Sequence, residues 1–502
     1  MRPIAIAVLF PLVAALASCG GRARPQGPEP GGAQTTIIGP SHAPVFELPE
    51  RAAFVTSGSD AQWSAIGREA NALLAAFLRI NTTNPPGNEL AAARLLQAVF
   101  QREGIEVELM EPRPGKANLV ARLRGDGSRR PVLLLSHMDV VEATPAFWSV
   151  DPFGGVVRDG FLYGRGALDM KGQGIAQLMA MVALKRAGIP LARDIVYIAT
   201  CDEEIGGGVG ARWIAEEHPE LVRGAEFLIN EGGTMRADAQ GRVTYVGVGV
   251  TEKSPFWLDV TARGTAGHGS QPTPDNAVER LVRALARVEA WETPLVVTPA
   301  VERFFRDLSR AESDPVRRGW LADVRAALAD PVARRWFRSD IAYNALLRNT
   351  VTVTVLAGSG KTNVIPPVAR AELDVRLLPG QDPQRFLAQL REVVADTMVR
   401  VEPQGVNWPA TESGADTDLF RAVAEVAERT HPGALVTSSM LTGFTDSHYF
   451  RRLGIASYGV AAFPVRDTEG RGVHGNDERV RLDAMEQGSR FMYDVLVRLA
   501  RR

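Results

Sequence analysis

The sequence predicts an α/β protein with a mostly parallel sheet, interrupted by an inserted α+β segment. Three observations carry that prediction. Between residues 61 and 249, short apolar runs alternate with helix-length segments, the rhythm of strand–helix–strand units. After Val250 the runs switch to apolar–polar alternation, as in Phe256-Trp257-Leu258-Asp259-Val260, Val351-Thr352-Val353-Thr354-Val355 and Ala371-Glu372-Leu373-Asp374-Val375, which suits strands buried on one side. From Thr417 the helix-then-strand rhythm returns. The body is therefore assigned to residues 61–249 and 406–502, and the insert to 250–405.

In chain order, Arg2 followed by the apolar run Ile4 to Ala17 has the layout of an export signal, too short to span a bilayer comfortably. Leu16-Ala17-Ser18-Cys19 resembles the bacterial lipobox, which implies that residues 1–19 form a lipoprotein signal in which Cys19 is acylated, becomes the new N-terminus and anchors the chain to a membrane of the cell envelope on its periplasmic face. Residues 20–60, rich at first in Gly, Pro and Ala, read as a flexible tether. Ile66, Ala70, Leu73, Leu74, Phe77 and Leu78 recur at helical spacing up to the breaker Asn84-Pro85-Pro86-Gly87, and a second amphipathic helix follows from about Glu89 to Glu103. Strands are expected at Asn118–Leu123, Pro131–Ser136 and Asp194–Thr200, with a helix over Gly172–Ala187. Inside the insert, residues 298–347 are helix-rich and a helix follows from Pro383 to about Met398.

Composition narrows the function classes. The 502 residues are 45% hydrophobic and 23% charged, which excludes a disordered chain and a polytopic membrane protein. With 57 Lys+Arg against 58 Asp+Glu there is no basic field to hold nucleic acid. Cys19 and Cys201 are the only cysteines, so an acylated Cys19 leaves no intramolecular disulfide.

The chemistry lies at the strand ends. His137 and Asp139 follow Val132–Leu135, Asp202-Glu203-Glu204 follow the strand ending at Thr200, and Glu231 follows Phe227–Asn230. Polar residues there sit at the carboxyl edge of the sheet, where open α/β folds bind ligands. Asp169 in Gly164-Arg165-Gly166-Ala167-Leu168-Asp169-Met170-Lys171-Gly172 and His474 in Val473-His474-Gly475-Asn476-Asp477-Glu478 add a further carboxylate and imidazole. A dinuclear metal site needs such hard or borderline donors, one of them a carboxylate able to bridge.

Taken in order, SHMDVV, PFGG, GRGALDMKG, CDEEIGG, NEGG, GHGSQP, TNVIPP, RLLPG, FTDSHYF and VHGNDE resemble the M20 family of metallopeptidases over about residues 65 to 495, with the nearest likeness to its carboxypeptidase S and N-acyl amino acid hydrolase branch. The resemblance implies two zinc ions bridged by Asp169, one completed by His137 and Glu231, the other by Glu204 and His474; cobalt or manganese suits the same donors. It makes Asp139 the carboxylate that orients His137, and Glu203 the general base that takes a proton from water whose pKa zinc lowers to about 7. The insert resembles the family's lid, which mediates homodimers in many members. Within it, His268 matches the residue that stabilises the oxyanion, and Asn363 and Arg376 match those that bind the substrate carboxylate.

The implied activity is hydrolysis of the amide to an amino acid bearing a free carboxylate, as a carboxypeptidase or dipeptidase, or as an N-acyl amino acid amidohydrolase. A surface-anchored binding protein without catalysis is the reading from another class, and the complete ligand set with Glu203 argues against it. His42, His218 and His431 read as surface residues, His448 as structural or pocket-lining, and Cys201 as a small buried residue.

Overall fold

The computed structural model describes residues 36–37, 47–54, 58–405, 410–466, 469 and 472–502. Cys19 and His42 lie outside them. Contacts group residues 251–412 and 439–444 into one unit and the rest of the described body into another.

In the larger unit, α1 (Asp60–Leu78) starts at Ser59, whose side chain accepts from Gln62 N–H in a capping box, and it buries Trp63, Ile66, Ala70, Leu73, Leu74 and Phe77. Helix α2 (Glu89–Arg102) packs on a hairpin, β1 (Glu106–Arg113) and β2 (Lys116–Leu123). Strand β3 (Val132–His137) is buried along its whole length. Helix α3 (Lys171–Ala187) is buried over most of its length, as expected of a helix lying between a sheet and other helices. Gly172 is required at its start, because a Cβ there would lie 2.1 Å from Ala167 O and force the Asp169 turn away. Strands β4 (Ile195–Thr200) and β5 (Phe227–Asn230) are also fully buried, and β6 (Val243–Glu252) follows. Gly210 lets the loop after β4 fold back, since its Cβ would lie 1.7 Å from Cys201 O.

The smaller unit is an antiparallel sheet with helices on one face. Strand β7 (Leu258–Arg263) precedes α4 (Ala277–Ala290), followed by β8 (Thr350–Ala357), β9 (Val368–Leu377), α5 (Pro383–Val394) and β10 (Val399–Pro403). The strand order is β8-β9-β7-β10. Leu258, Val260, Ala369, Leu373 and Val375 meet Leu281, Ala284, Leu387 and Leu390 of the helices in one core. The alternation read from the sequence is visible in β9, whose residues are alternately buried and partly exposed. Short helices fill residues 299–346, four of them opening on the Asp caps Asp314, Asp323, Asp330 and Asp340, and they enclose an aromatic cluster of Phe305, Trp336, Phe337 and Tyr343.

Back in the larger unit, α6 (Asp418–Thr430), β11 (Ala456–Gly459) and α7 (Leu482–Ala500) complete the body. Strands β4, β3, β5 and β11 lie side by side and parallel. The hairpin β1/β2 flanks them antiparallel on one side and β6 on the other. Helices α1, α3 and α7 pack together. Arg186, at the end of α3, donates to Glu69 on α1 at 2.7 Å and to Glu103, just past α2, at 2.7 Å, with all three side chains almost fully buried. The sequence pattern misses β1, because Glu106–Arg113 is half exposed and carries charges at Glu106, Glu108, Glu111 and Arg113.

Candidate metal centre

His137 is the last residue of β3, and Glu231 follows β5 directly. Glu203 and Glu204 open a 3-10 turn (Glu203–Ile205) just past β4, preceded by Asp202 in the left-handed region at φ 79°. Asp169 stands in the turn before α3. His474, also at positive φ (56°), lies in the loop before Arg479–Arg481. Such backbone positions are costly for non-glycine residues and collect at functional sites.

These side chains converge. His137 Nε2 lies 3.2 Å from Asp169 Oδ1 and 3.6 Å from Glu231 Oε1. His474 Nε2 lies 3.0 Å from the other oxygen, Asp169 Oδ2, and 3.4 Å from Glu204 Oε2. Asp169 thus presents one oxygen to each half of the cluster. Two donors on one tetrahedral zinc, each about 2.0–2.2 Å from it, stand about 3.3–3.6 Å apart, so both halves have the spacing of a ligand pair. His474 Nε2 and Glu204 Oε1 are buried and make no hydrogen bond among the described residues, although His474 Nε2 is close to two carboxylates. Imidazole and carboxylate donors gathered at these spacings fit a divalent metal, and one atom each from His137, Asp169 and Glu204 lies within 4.8 Å of the others. Glu203 is also near enough to act as a donor: one atom each from His137, Glu203 and Glu231 lies within 4.8 Å of the others.

The electrostatics point the same way. Burial pushes the Asp169 carboxyl up, but the adjoining imidazoles of His137 and His474 outweigh it and hold it well below the usual carboxylate range. Burial, then the charge of Asp169, raises Glu231 to about 7. Burial and the neighbouring Glu231 push Glu203 well above its ordinary value. Burial opposes a charged His474, yet Asp169 and Glu204 lift it to about 10. Without a cation the pocket gathers protons; with one, the protons are displaced.

Asp139 meets His137 through both its main chain and its side chain. His137 Nδ1 bonds the main-chain oxygen of Asp139 at 3.0 Å, while the carboxylate is 3.6 Å away. Both oxygens face the same ring nitrogen, the main-chain one more closely. The Asp139 carboxylate also accepts the N–H groups of Glu203 and Glu204, each at 3.1 Å.

Sequence reasoning assigned no role to several supporting residues. Buried Glu478, in the His474 motif, accepts from Leu168 N–H at 2.7 Å, Asp169 N–H at 3.1 Å, Gly166 N–H at 3.0 Å and the Arg165 guanidinium at 2.7 Å, so it fixes the Asp169 turn. Asp446, buried and raised to about 8 by that burial, accepts from Thr200 Oγ1 at 3.0 Å. The signal available was position: both are acids within the family motifs. His448 lies in a buried helical turn outside the two donor groups, its pKa lowered to about 4 by burial and then by Arg452 and Arg451. Cys201 is buried and its thiol is pushed up by that burial, as its strand-end position implied.

His268, Asn363 and Arg376 belong to the smaller unit. His268 pairs with Val364 across two short strands, and Gly269 N–H donates to Asn363 O at 2.8 Å, so His268 and Asn363 are neighbours. His268 is exposed, with Nδ1 2.7 Å from Ser270 Oγ. Arg376 is on β9, and its Nε and Nη2 both donate to Asp374, at 2.7 and 3.1 Å. The pair engages Nε and one Nη2 N–H of the five guanidinium donors, which leaves the Nη1 side for a further acceptor.

A parallel sheet whose carboxyl edge gathers two imidazoles around shared carboxylates defines a metal-dependent hydrolase. Residues 133–498 match the family described as Peptidase family M20/M25/M40, and the chain belongs to that family. It is 28% identical over 382 residues to human N-fatty-acyl-amino acid synthase/hydrolase PM20D1, covering 74% of each chain. It is also 28% identical over 429 residues to pig aminoacylase-1, covering 84% of this chain and 93% of that one. Among solved structures, the M20 family metallo-carboxypeptidase Sso-CP2 from Sulfolobus solfataricus superposes with a TM-score of 0.65 at 20% identity, covering 85% of this chain and 98% of that one.

Proposed function

We propose that the protein hydrolyses the amide between an acyl group and an amino acid with a free carboxylate, with N-acyl amino acids as the substrate class. The observation that carries the reading is Asp169 with one oxygen beside each imidazole, and Glu203 buried next to them. His137, Asp169 and Glu231 would hold one divalent ion and Asp169, Glu204 and His474 the second, zinc being the metal that suits this donor set. Such ions polarise a carbonyl and lower the pKa of a water molecule. Glu203, held above its ordinary value by burial and by Glu231, would accept the proton of the attacking water and return it to the leaving nitrogen.

The names of the two sequence relatives favour an acyl group over a peptidyl one. Carboxypeptidase or dipeptidase action is the second reading, favoured by the metallo-carboxypeptidase superposition only as far as fold goes. His268 would stabilise the oxyanion, and Asn363 with Arg376 would hold the carboxylate. Strand β8, whose strand pairing among the described residues is with β9, exposes Val353 and Leu356, which supports its use in a homodimer. Cys19 would tether the enzyme to a membrane of the cell envelope.

The deciding experiment offers the purified protein N-acyl amino acids of increasing chain length and a set of dipeptides, with and without a chelator. Amino acid release from the N-acyl compounds that stops with chelation and returns with zinc is expected. Release from dipeptides alone would move the assignment to the second reading, and no release from a metal-loaded protein would refute both. For the anchor, labelled palmitate should enter the wild-type protein in cells and not Cys19→Ala; equal labelling of the two removes the lipid from the account.

A further inference from the structure

A line of buried polar groups reaches the Glu203–Ile205 turn from outside the metal centre. Asp139 Oδ2, which accepts Glu204 N–H, also accepts from Asn84 Nδ2 at 2.8 Å. The same amide nitrogen lies 3.3 Å from Asp202 Oδ1. Asn84 Oδ1 accepts from Lys116 Nζ at 2.7 Å. Lys116 Nζ also donates to Asp202 Oδ1 at 3.1 Å and to Glu89 Oε1 at 3.2 Å, so its three protons meet three acceptors. The line thus runs from β2 and α2, through the loop after α1, to the residues that follow β3 and β4.

Two physical consequences follow. The ammonium of Lys116 fixes which way the Asn84 amide faces, because a flipped amide would set donor against donor. Asn84 and Lys116 also separate two carboxylates, Asp139 and Asp202, which share one amide nitrogen and would otherwise repel each other. Asp202 is the residue in the left-handed region, and the N–H groups of Glu203 and Glu204 come immediately after it.

We propose that Asn84 and Lys116 are positioning residues: they lock the Asp139 carboxylate, which in turn holds the backbone of Glu203 and Glu204 at the angle that places one carboxylate off the metals and the other on them. The inference rests on the roles given above to Glu203 and Glu204. Asn84→Ala, Lys116→Met and Lys116→Arg are compared as zinc-loaded full-length proteins on the substrate that the panel returns, and zinc affinity is read by competition with a chromophoric chelator. Asn84→Ala and Lys116→Met should lose about 10- to 100-fold in kcat and about 10-fold in zinc affinity, with KM little changed, as for other supports of metal ligands. Lys116→Arg keeps donors for the same acceptors and should recover most of both. Asn84→Ala with kcat and zinc affinity both close to wild type overturns the proposal, as does Lys116→Arg no better than Lys116→Met. A fully active Glu203→Gln would instead sink the reading of the turn itself.

Discussion

Stripping divalent ions with a chelator should make the stability of the larger unit strongly dependent on pH. In the metal-free pocket Glu231 titrates at about 7 against an ordinary 4.5, and His474 at about 10 against 6.5. Both folded-state values are raised, so the folded protein binds more protons than the unfolded chain from about pH 4.5 to 10, and stability is lost as pH rises through each folded value. Each tenfold difference in proton affinity is worth about 1.4 kcal/mol, giving roughly 3 kcal/mol for Glu231 and roughly 5 kcal/mol for His474. The two lean on the same Asp169, so a combined loss on the order of 5 kcal/mol between pH 5 and 10 is expected rather than the full sum. At about 2 °C per kcal/mol for a unit of this size, Tm should fall by roughly 10 °C across that range. The zinc-loaded protein should lack this slope, since the ions take the place of the protons. Differential scanning calorimetry at several pH values, with and without chelator, reads the difference directly. Superimposable pH profiles for the loaded and stripped proteins, or a stripped protein that gains stability as pH rises, would refute the account of the cluster.

Three further outcomes follow from the same contacts. Glu203→Gln should keep its zinc but lose about 10²- to 10⁴-fold in kcat, the range for a general base; loss of metal instead would make Glu203 a ligand. His474→Ala should bind about one ion fewer per chain while His448→Ala keeps its metal, read by elemental analysis; the reverse pattern would exchange their roles. Arg186→Ala should destabilise the larger unit by about 3 kcal/mol in urea unfolding, the low end for a broken buried pair, because Glu69 and Glu103 lose their most buried partner while Arg102 and Arg51 remain; a change below about 1 kcal/mol would show that network to be dispensable.

The parts of the fold that were legible in the sequence are those whose pattern is local. The buried runs of β3, β4 and β5 are continuous in sequence, and the residues that end them carry the donors, so His137, Glu204 and Glu231 could be placed at one edge before any contact was known. Arg376 and Asp374 stand two apart on one strand and hence on one face, so their pairing was readable but was not read. What depends on distant partners was hidden. Nothing near Asn84 or Lys116 in the chain announces that they meet Asp139 and Asp202, and the difference between the main-chain oxygen and the carboxylate of Asp139 as partner to His137 is a matter of half an ångström that no residue pattern encodes.

The order of the strands explains why donors so far apart in the chain meet. From β3 the chain crosses to β4 on one side, and from β4 it returns past β3 to β5 on the other, so β3 lies between the two parallel strands whose carboxyl ends carry the other donors. His137 sits at the carboxyl end of β3, Glu203 and Glu204 come from one side and Glu231 from the other. Asp169 arrives from the β3-to-β4 crossover, held at the start of α3 by Gly172 and by Glu478. Glu478 lies four residues past His474, so the loop that delivers the second imidazole also braces the carboxylate set between the two. A substitution that loosens Glu478 should therefore disturb both halves of the cluster together, whereas one at Glu231 should disturb only the half that contains His137.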